Sequence, residues 1–183
     1  MKYIFTLISL FLQLGVKAQT IYYVDSGRAD NSGGGTSWAT AKKDIQEALN
    51  IAPIGSRVWI KRGTYSPTKD PFGNASPADS KNKTFFLRDS VAIYGGFAGT
   101  ETLLGQRNVS ANPTVLSGDF NHNDSVLGAG PSLVIAGTAE NAYHVVTHAS
   151  SYGTIVDGLT ITGGNATNSG SFIIVNGMSV NNN

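Results

Sequence analysis

Ile155-Val156-Asp157-Gly158-Leu159-Thr160-Ile161-Thr162-Gly163-Gly164 is echoed nineteen residues later by Ile174-Val175-Asn176-Gly177-Met178-Ser179-Val180-Asn181-Asn182. Ile155 aligns with Ile174, Gly158 with Gly177, Leu159 with Met178 and Ile161 with Val180. In each copy two apolar residues alternate with polar ones, the pattern of a strand with one buried face. The shared glycine suits a sharp bend before that strand. Thr162 would then stack on Asn181, and Asp157 on Asn176, as polar ladders at a turn. A repeat of about 20 residues cannot bury its own apolar face and must stack on its neighbours, about 4.8 Å per coil for parallel strands. The expected architecture is a parallel β-solenoid with a narrow apolar column inside. An antiparallel sandwich with coincidental alternation is the other reading of the same pattern.

Outward from that repeat the chain keeps the same texture. Short Val/Ile/Tyr/Phe runs alternate with Gly/Asn/Ser/Asp turns, and strands are expected over 57–61, 84–87, 91–94, 114–116, 132–135, 143–147, 154–162 and 172–180. Residues 65–82 hold Pro67, Pro71 and Pro77 with few apolar positions and read as a surface loop. The one helical period lies over 40–51. Ala41, Ile45, Ala48, Leu49 and Ala52 form its apolar stripe, Lys42, Lys43, Gln46 and Glu47 fall elsewhere, and Pro53 and Gly55 stop it. One amphipathic helix beside many strands can cover the open end of a strand stack.

At the N-terminus Lys2 precedes an apolar run over 3–14, and Val16-Lys17-Ala18 ends it with residues that a signal peptidase accepts. Residues 1–18 therefore read as a signal peptide cleaved before Gln19; a buried core helix is the alternative. The run is shorter than the roughly 20 residues of a spanning helix, so no membrane span is expected in the mature chain. Cleavage removes Lys2 and Lys17 and no acid, taking 13 basic residues to 11 against 12 acidic ones. That balance argues against a nucleic-acid partner, which calls for concentrated basic surface. With no cysteine in 183 residues, disulfides, thiolate metal sites and cysteine nucleophiles are excluded.

Tyr23-Val24-Asp25, the Gly-rich residues 31–35, Ser37-Trp38, the helix, Val58-Trp59-Ile60 and Gly63-Thr64-Tyr65 resemble the N-terminal cap of right-handed parallel β-helix proteins of the pectate-lyase-like superfamily. Ile93-Tyr94-Gly95-Gly96-Phe97-Ala98-Gly99-Thr100-Glu101, Arg107, and Asn112-Pro113-Thr114-Val115-Leu116-Ser117-Gly118-Asp119 are similar to large cell-surface β-helix proteins of Bacteroidetes type. Ala142-Tyr143-His144-Val145-Val146 and residues 156–166 continue the likeness, which covers about residues 20–183. It implies an all-β chain: a right-handed parallel β-helix with one N-terminal capping α-helix, secreted or held at the outer surface. Residues 19–183 would be the cap and first coils, truncated at the C-terminus. The uncapped coil end would invite self-association through unpaired strand edges.

Activity is less legible, because that superfamily holds lyases, hydrolases and adhesins alike. Asp119, Asn121 and Asn123 place oxygens at the alternate positions of a calcium loop, and Asp124 follows as a fourth candidate ligand. An EF-hand is excluded, because its sixth position would be Asp124 and its twelfth Gly130. A looser calcium-stabilised turn and an Asx-rich turn bonding its own backbone remain the two readings. Lys61, Arg62, Arg88 and Arg107 are the basic residues available for lyase chemistry, and none sits in a catalytic motif; Arg107 reads as a loop anchor. Asp119, Asp124 and Asp157 are the carboxylates available for glycoside hydrolysis, which needs a pair. His144 and His148 lack a third zinc ligand. Tyr22, Tyr23, Trp59, Tyr65, Tyr94, Phe97 and Tyr152 offer sugar-stacking faces or core packing. With no catalytic residue and no cofactor beyond calcium expected, the favoured reading is a non-catalytic adhesion or glycan-binding scaffold, partnered by a polysaccharide or surface glycan. A polysaccharide lyase or glycosidase with catalytic residues beyond residue 183 is the alternative.

Overall fold

The computed structural model describes residues 19–149, 152–167 and 172–181; the expected signal peptide, 1–18, lies outside them. The expected helix over 40–51 is shorter and begins later. A 3-10 turn, Trp38–Thr40, is capped by the Ser37 side chain, which accepts from the Thr40 N–H. Lys42 is then drawn into a parallel bridge with Val24. Its N–H donates to the Tyr23 carbonyl and its own carbonyl accepts from Asp25, each at 2.9 Å. Tertiary pairing with the first strand thus overrides helical periodicity there, and α1 runs over Ile45–Ile51. The stripe Ala41, Ile45, Ala48, Leu49 and Ala52 is buried as expected. Gln46, assigned above to the polar side, is also buried, at 4% exposure. Its amide accepts from the Phe86 N–H at 2.9 Å and donates to the Phe86 carbonyl at 3.3 Å. It satisfies a strand backbone that has no other strand on that side, which is why a polar residue is tolerated in the core.

The rest of the described chain is mostly strands and turns, with parallel sheets predominating. β1 (Ile21–Val24), β2 (Arg57–Lys61), β5 (Ala92–Phe97) and β10 (Val156–Asp157) form a four-stranded parallel sheet in the order β1-β2-β5-β10. β3 (Gly63–Tyr65), β6 (Thr114–Ser117) and β11 (Thr160–Thr162) form a second, in the order β3-β6-β11. β4 (Phe85–Phe86) and β9 (Val146–Thr147) form a third. The chain visits these sheets in one order: β2, β3, β4; then β5, β6, β9; then β10, β11.

Register aligns side chains of one kind. Tyr22, Val58, Ile93 and Val156 are successive partners across the first sheet, and Tyr65, Leu116 and Ile161 across the second. Val24, Val58, Ile60, Tyr65, Phe85, Ile93, Leu116 and Val145 join Ile45, Ala48 and Leu49 of α1 in one core. The opposite face of the first sheet carries a second cluster, Trp59, Ala92, Tyr94 and Phe97, with Tyr23 and Trp38 packed against it. β5, in the middle of that sheet, is buried on both faces and so reads as a continuous buried run without alternation. Val156 and Ile161 remain exposed, although their partners Ile93 and Leu116 are fully buried.

The nineteen-residue repeat is not a structural repeat. The first copy spans two sheets: β10 ends at Asp157, the chain turns at Gly158 (φ 71°), and β11 follows. The second copy lies in an antiparallel hairpin, β12 (Phe172–Val175) and β13 (Met178–Asn181). Asn176 (φ 50°) and Gly177 (φ 76°) form its turn. Asp157 therefore pairs with Tyr94, and Thr162 with Ser117; neither lies in register with the second copy. An Asn-Gly pair with both residues at positive φ is the turn that matches the twist of a two-residue hairpin. It outweighs the alternation on either side. Successive strands of the first sheet instead begin at residues 21, 57, 92 and 156, so the returns are long and the last is much longer than the others.

The expected strand over 132–135 becomes a 3-10 turn, Gly130–Ser132, followed by β8 (Val134–Ala136). β8 pairs antiparallel with β7 (Ser125–Leu127), which the periodicity did not show. Gly63 opens β3 rather than merely closing β2. No helix among the described residues is long and apolar enough to cross a membrane.

Candidate functional site

Among the described residues, Asp119, Glu101 and Asp25 each close a loop by accepting backbone N–H groups. Asp119, just past β6, is buried and takes the N–H groups of Asn123 at 3.2 Å and Asp124 at 3.1 Å. His122 at φ 55° lets the loop turn back over it. Burial pushes the Asp119 carboxyl upward, but the N–H groups of Asp124, Asn123 and His122 outweigh it and hold the group below its ordinary value. Of the four oxygen donors expected for calcium, Asp119 is committed to its own loop, Asp124 Oδ2 accepts from Asn141 Nδ2 at 2.9 Å, and Asn121 and Asn123 are exposed. Among the described residues no group of three or more His, Asp or Glu side chains converges as a metal cluster.

The other two closures follow the same physics. Glu101 accepts from Ala98 at 2.7 Å and from Gly99 and Thr100 at 3.0 Å. Asp25 accepts from Lys61 Nζ at 2.8 Å and Gly27 N at 2.9 Å. In both, burial raises the carboxyl and these donors lower it further, leaving the net shift downward. A folded-state value below the unfolded one contributes stability that is present above the unfolded value, about 4, and is lost as pH falls through the folded one. The urea midpoint should be flat between about pH 5 and 8 and fall steadily below about pH 4. Asp119→Asn should make that acid limb shallower; a limb of unchanged slope would show that the loop carboxylate is not a stabilising titration.

Several of the residues considered for catalysis are engaged structurally. Arg107 Nη2 pairs with Asp157 at 2.6 Å, Nη1 donates to the Gly95 carbonyl at 3.2 Å, and the guanidinium lies 5.3 Å from the centre of the Tyr94 ring. It anchors its loop across β5 and β10. Lys61 is held by Asp25. His148 Nε2 lies 3.9 Å from Asp89 Oδ1. Trp59, Tyr65, Tyr94 and Phe97 are core residues, so among the aromatics considered for sugar stacking only Tyr152 is largely exposed.

The cleft with the chemistry of a binding site lies elsewhere. It has a volume of about 500 Å³ and opens between the end of α1, the loop of 66–84, the segment after β4 and the β12–β13 turn. Phe72, 67% exposed, and Ile54, 79% exposed, both line it. Asp70 sets the rim: its Oδ1 accepts from the N–H of Phe72 at 3.0 Å and of Asn74 at 2.8 Å, and Gly73 turns at φ 86°. Arg88 Nη1 donates to the Asn50 carbonyl at 2.8 Å, tying the floor to the last turn of α1. Asn176, at the hairpin turn, donates to the Ala149 carbonyl at 2.9 Å and closes the other side. The sequence reading passed over Phe72 as part of a plain loop. The signal was a large aromatic between Pro71 and Gly73 in an otherwise polar stretch.

No protein-family model, no curated protein and no solved structure matches the chain.

Proposed function

We propose that this chain is an exported, secreted or surface-held scaffold that binds glycan without catalysing a reaction, and that the Phe72 cleft is its saccharide contact. The observation that carries the reading is the cleft itself. The exposed Phe72 ring and the exposed Ile54 side chain line it together with Asn50, Asn176, Arg88 and Asp89, the last being the one carboxylate in its lining. A sugar ring presents an apolar face that stacks on an aromatic and hydroxyls that need amide and charged partners.

The architecture we propose around it is the N-terminal part of a right-handed parallel β-helix of pectate-lyase-like type. Support comes from three parallel sheets entered in a constant order, from α1 packed against β1, β2 and β4, and from the right-handed preference of parallel crossovers. The exposed Val156 and Ile161 support self-association through the last parallel strands. The near-balanced charge supports a neutral or mixed polysaccharide over nucleic acid.

Glycan-array screening of the purified protein, followed by titration calorimetry on the hits, tests the reading. Phe72→Ala should weaken binding by about tenfold, the value of one stacking contact, with the melting temperature unchanged. Absence of any glycan hit, or hits indifferent to Phe72, would overturn the assignment of the cleft. Release of unsaturated uronate from a polysaccharide would replace the binding reading by the lyase one.

A further inference from the structure

The turn between β12 and β13 carries a chemistry of its own. It is Asn176-Gly177, the one place in the chain where glycine follows asparagine. The backbone nitrogen one residue past an asparagine can attack the side-chain amide, and glycine hinders that attack least because it has no Cβ. Here both residues are exposed, and nothing stands within 4 Å of a would-be Cβ on Gly177. Among the described residues the Gly177 N–H donates to no acceptor, as suits the second residue of a two-residue turn.

The attack requires the backbone to leave the turn, where Asn176 and Gly177 stand at φ 50° and 76°. β12 and β13 pair only with each other, and Phe172, Ile174 and Met178 are exposed. A two-stranded hairpin with no third strand is marginal in water and opens at little cost. Among the described residues the Asn176 side chain has one anchor, from Nδ2 to the Ala149 carbonyl at 2.9 Å. Asn31, which precedes Ser32, is the contrast. Its Oδ1 accepts from the N–H groups of Lys43 at 2.8 Å and Asp44 at 2.9 Å, and its Nδ2 donates to Asp44 Oδ2 at 2.8 Å. Three bonds hold that amide away from the next nitrogen.

We propose that Asn176 is a site of spontaneous covalent modification. The Gly177 nitrogen bonds to Asn176 Cγ, the bond from Cγ to Nδ2 breaks, and Nδ2 leaves as ammonia with the proton that Gly177 gives up. Water then attacks one of the two carbonyls of the cyclic imide. Opening at Cγ gives aspartate, and opening at the main-chain carbonyl gives isoaspartate. The net exchange is one amide nitrogen for one solvent oxygen, with water as the only co-reactant. An amide donor thus becomes a carboxylate, the bond to the Ala149 carbonyl is lost, and the cleft holds a second carboxylate beside Asp89. What this does to a bound saccharide rests on the glycan reading; the chemistry and the release of the turn do not.

Folded protein held in mildly alkaline heavy-oxygen water, then digested in ordinary water for peptide mass mapping, tests this. Position 176 should take up one solvent oxygen at a rate within about tenfold of the free peptide spanning 172–181, as expected of a turn that opens easily. Asn31 should stay intact over the same period. So should Asn176→Gln, whose longer side chain must close a larger and slower-forming ring. Asn176→Asp should speed hydrogen exchange over 172–181 by about fivefold, the value of one lost hydrogen bond, and leave the rest of the chain unchanged. Conversion of the free peptide without conversion of the folded protein would overturn the proposal, and so would oxygen uptake at Asn31 as fast as at Asn176. Unchanged exchange in Asn176→Asp would overturn the release of the turn. Failure of every glycan to bind would remove the saccharide reading and leave the oxygen uptake as it is.

Discussion

Trp59→Ala should lower the free energy of unfolding by about 3–5 kcal/mol, a large share of what a domain of this size possesses. Trp59 lies in the middle of β2, 1% exposed, between register partners Tyr23 and Tyr94. Its ring stacks on Phe97 at 4.6 Å and 14° and meets Tyr23 edge-on at 5.7 Å. Tyr23 in turn packs edge-on against Trp38 at 4.7 Å, and Trp38 Nε1 donates to the Glu101 carbonyl at 2.9 Å. Removing the indole leaves a void bounded by two strands and a loop, which cannot all collapse inward at once. Trp59 Nε1 has no hydrogen-bond partner, so Trp59→Phe loses packing volume but no bond. It should cost markedly less than Trp59→Ala. Urea unfolding of the three proteins checks this. A loss under about 1 kcal/mol for the alanine variant would mean that the outer cluster is not packed as described.

Gly95→Ala should be nearly as severe, through a clash instead of a void. A Cβ at Gly95 would overlap the Gly158 carbonyl oxygen and crowd Leu159 Cδ2 and Thr114 Cβ. Leu159 could rotate, but Gly158 is backbone at the corner between β10 and β11 and cannot retreat without breaking both pairings. Overpacking of this kind costs on the order of 3 kcal/mol. The loss should also be local. Hydrogen exchange should accelerate over 154–165, where β10 and β11 dock, while β1 and β2 stay protected. Gly105 has nothing within 4 Å of its would-be Cβ, so Gly105→Ala should leave stability unchanged. Equal effects from the two substitutions, or uniform acceleration across the sheet, would defeat the argument.

The sequence reading succeeded where a rule is local. The buried stripe of α1 follows from helical spacing, and nearly every short β-branched or aromatic run became a strand. It failed where two local rules competed. The likeness of 155–164 to 174–182 rests on apolar spacing and a glycine, and both survive in the structure. Yet Gly158 turns the chain from one sheet to another, whereas Gly177 reverses it. The deciding residue is Asn176, which accepts positive φ where Asp157 remains in strand β10. The parallel sheets were legible as a class, but their true partners, 36, 35 and 63 residues apart in the first sheet, were not. Long insertions between strands erase any fixed period.

The candidate sites show the same division. Asp119, Asn121, Asn123 and Asp124 stood out because they are close in sequence. The structure commits Asp119 to its own loop and brings Asn141, from the far end of the insertion, against Asp124. Phe72 is unremarkable in sequence because exposure, the property that makes it useful, is decided by what the rest of the chain leaves uncovered.

By itself the sequence determined the β-rich class, the single amphipathic helix and the exclusion of cysteine chemistry. These depend on composition and on periods of two and 3.6 residues, which a strand or helix imposes on its own neighbours. Tertiary structure alone decided which strands pair, that Gln46 and Lys42 serve strands and not a helix surface, and which rings stay uncovered. Those outcomes depend on contacts between residues tens of positions apart, and no local period records them.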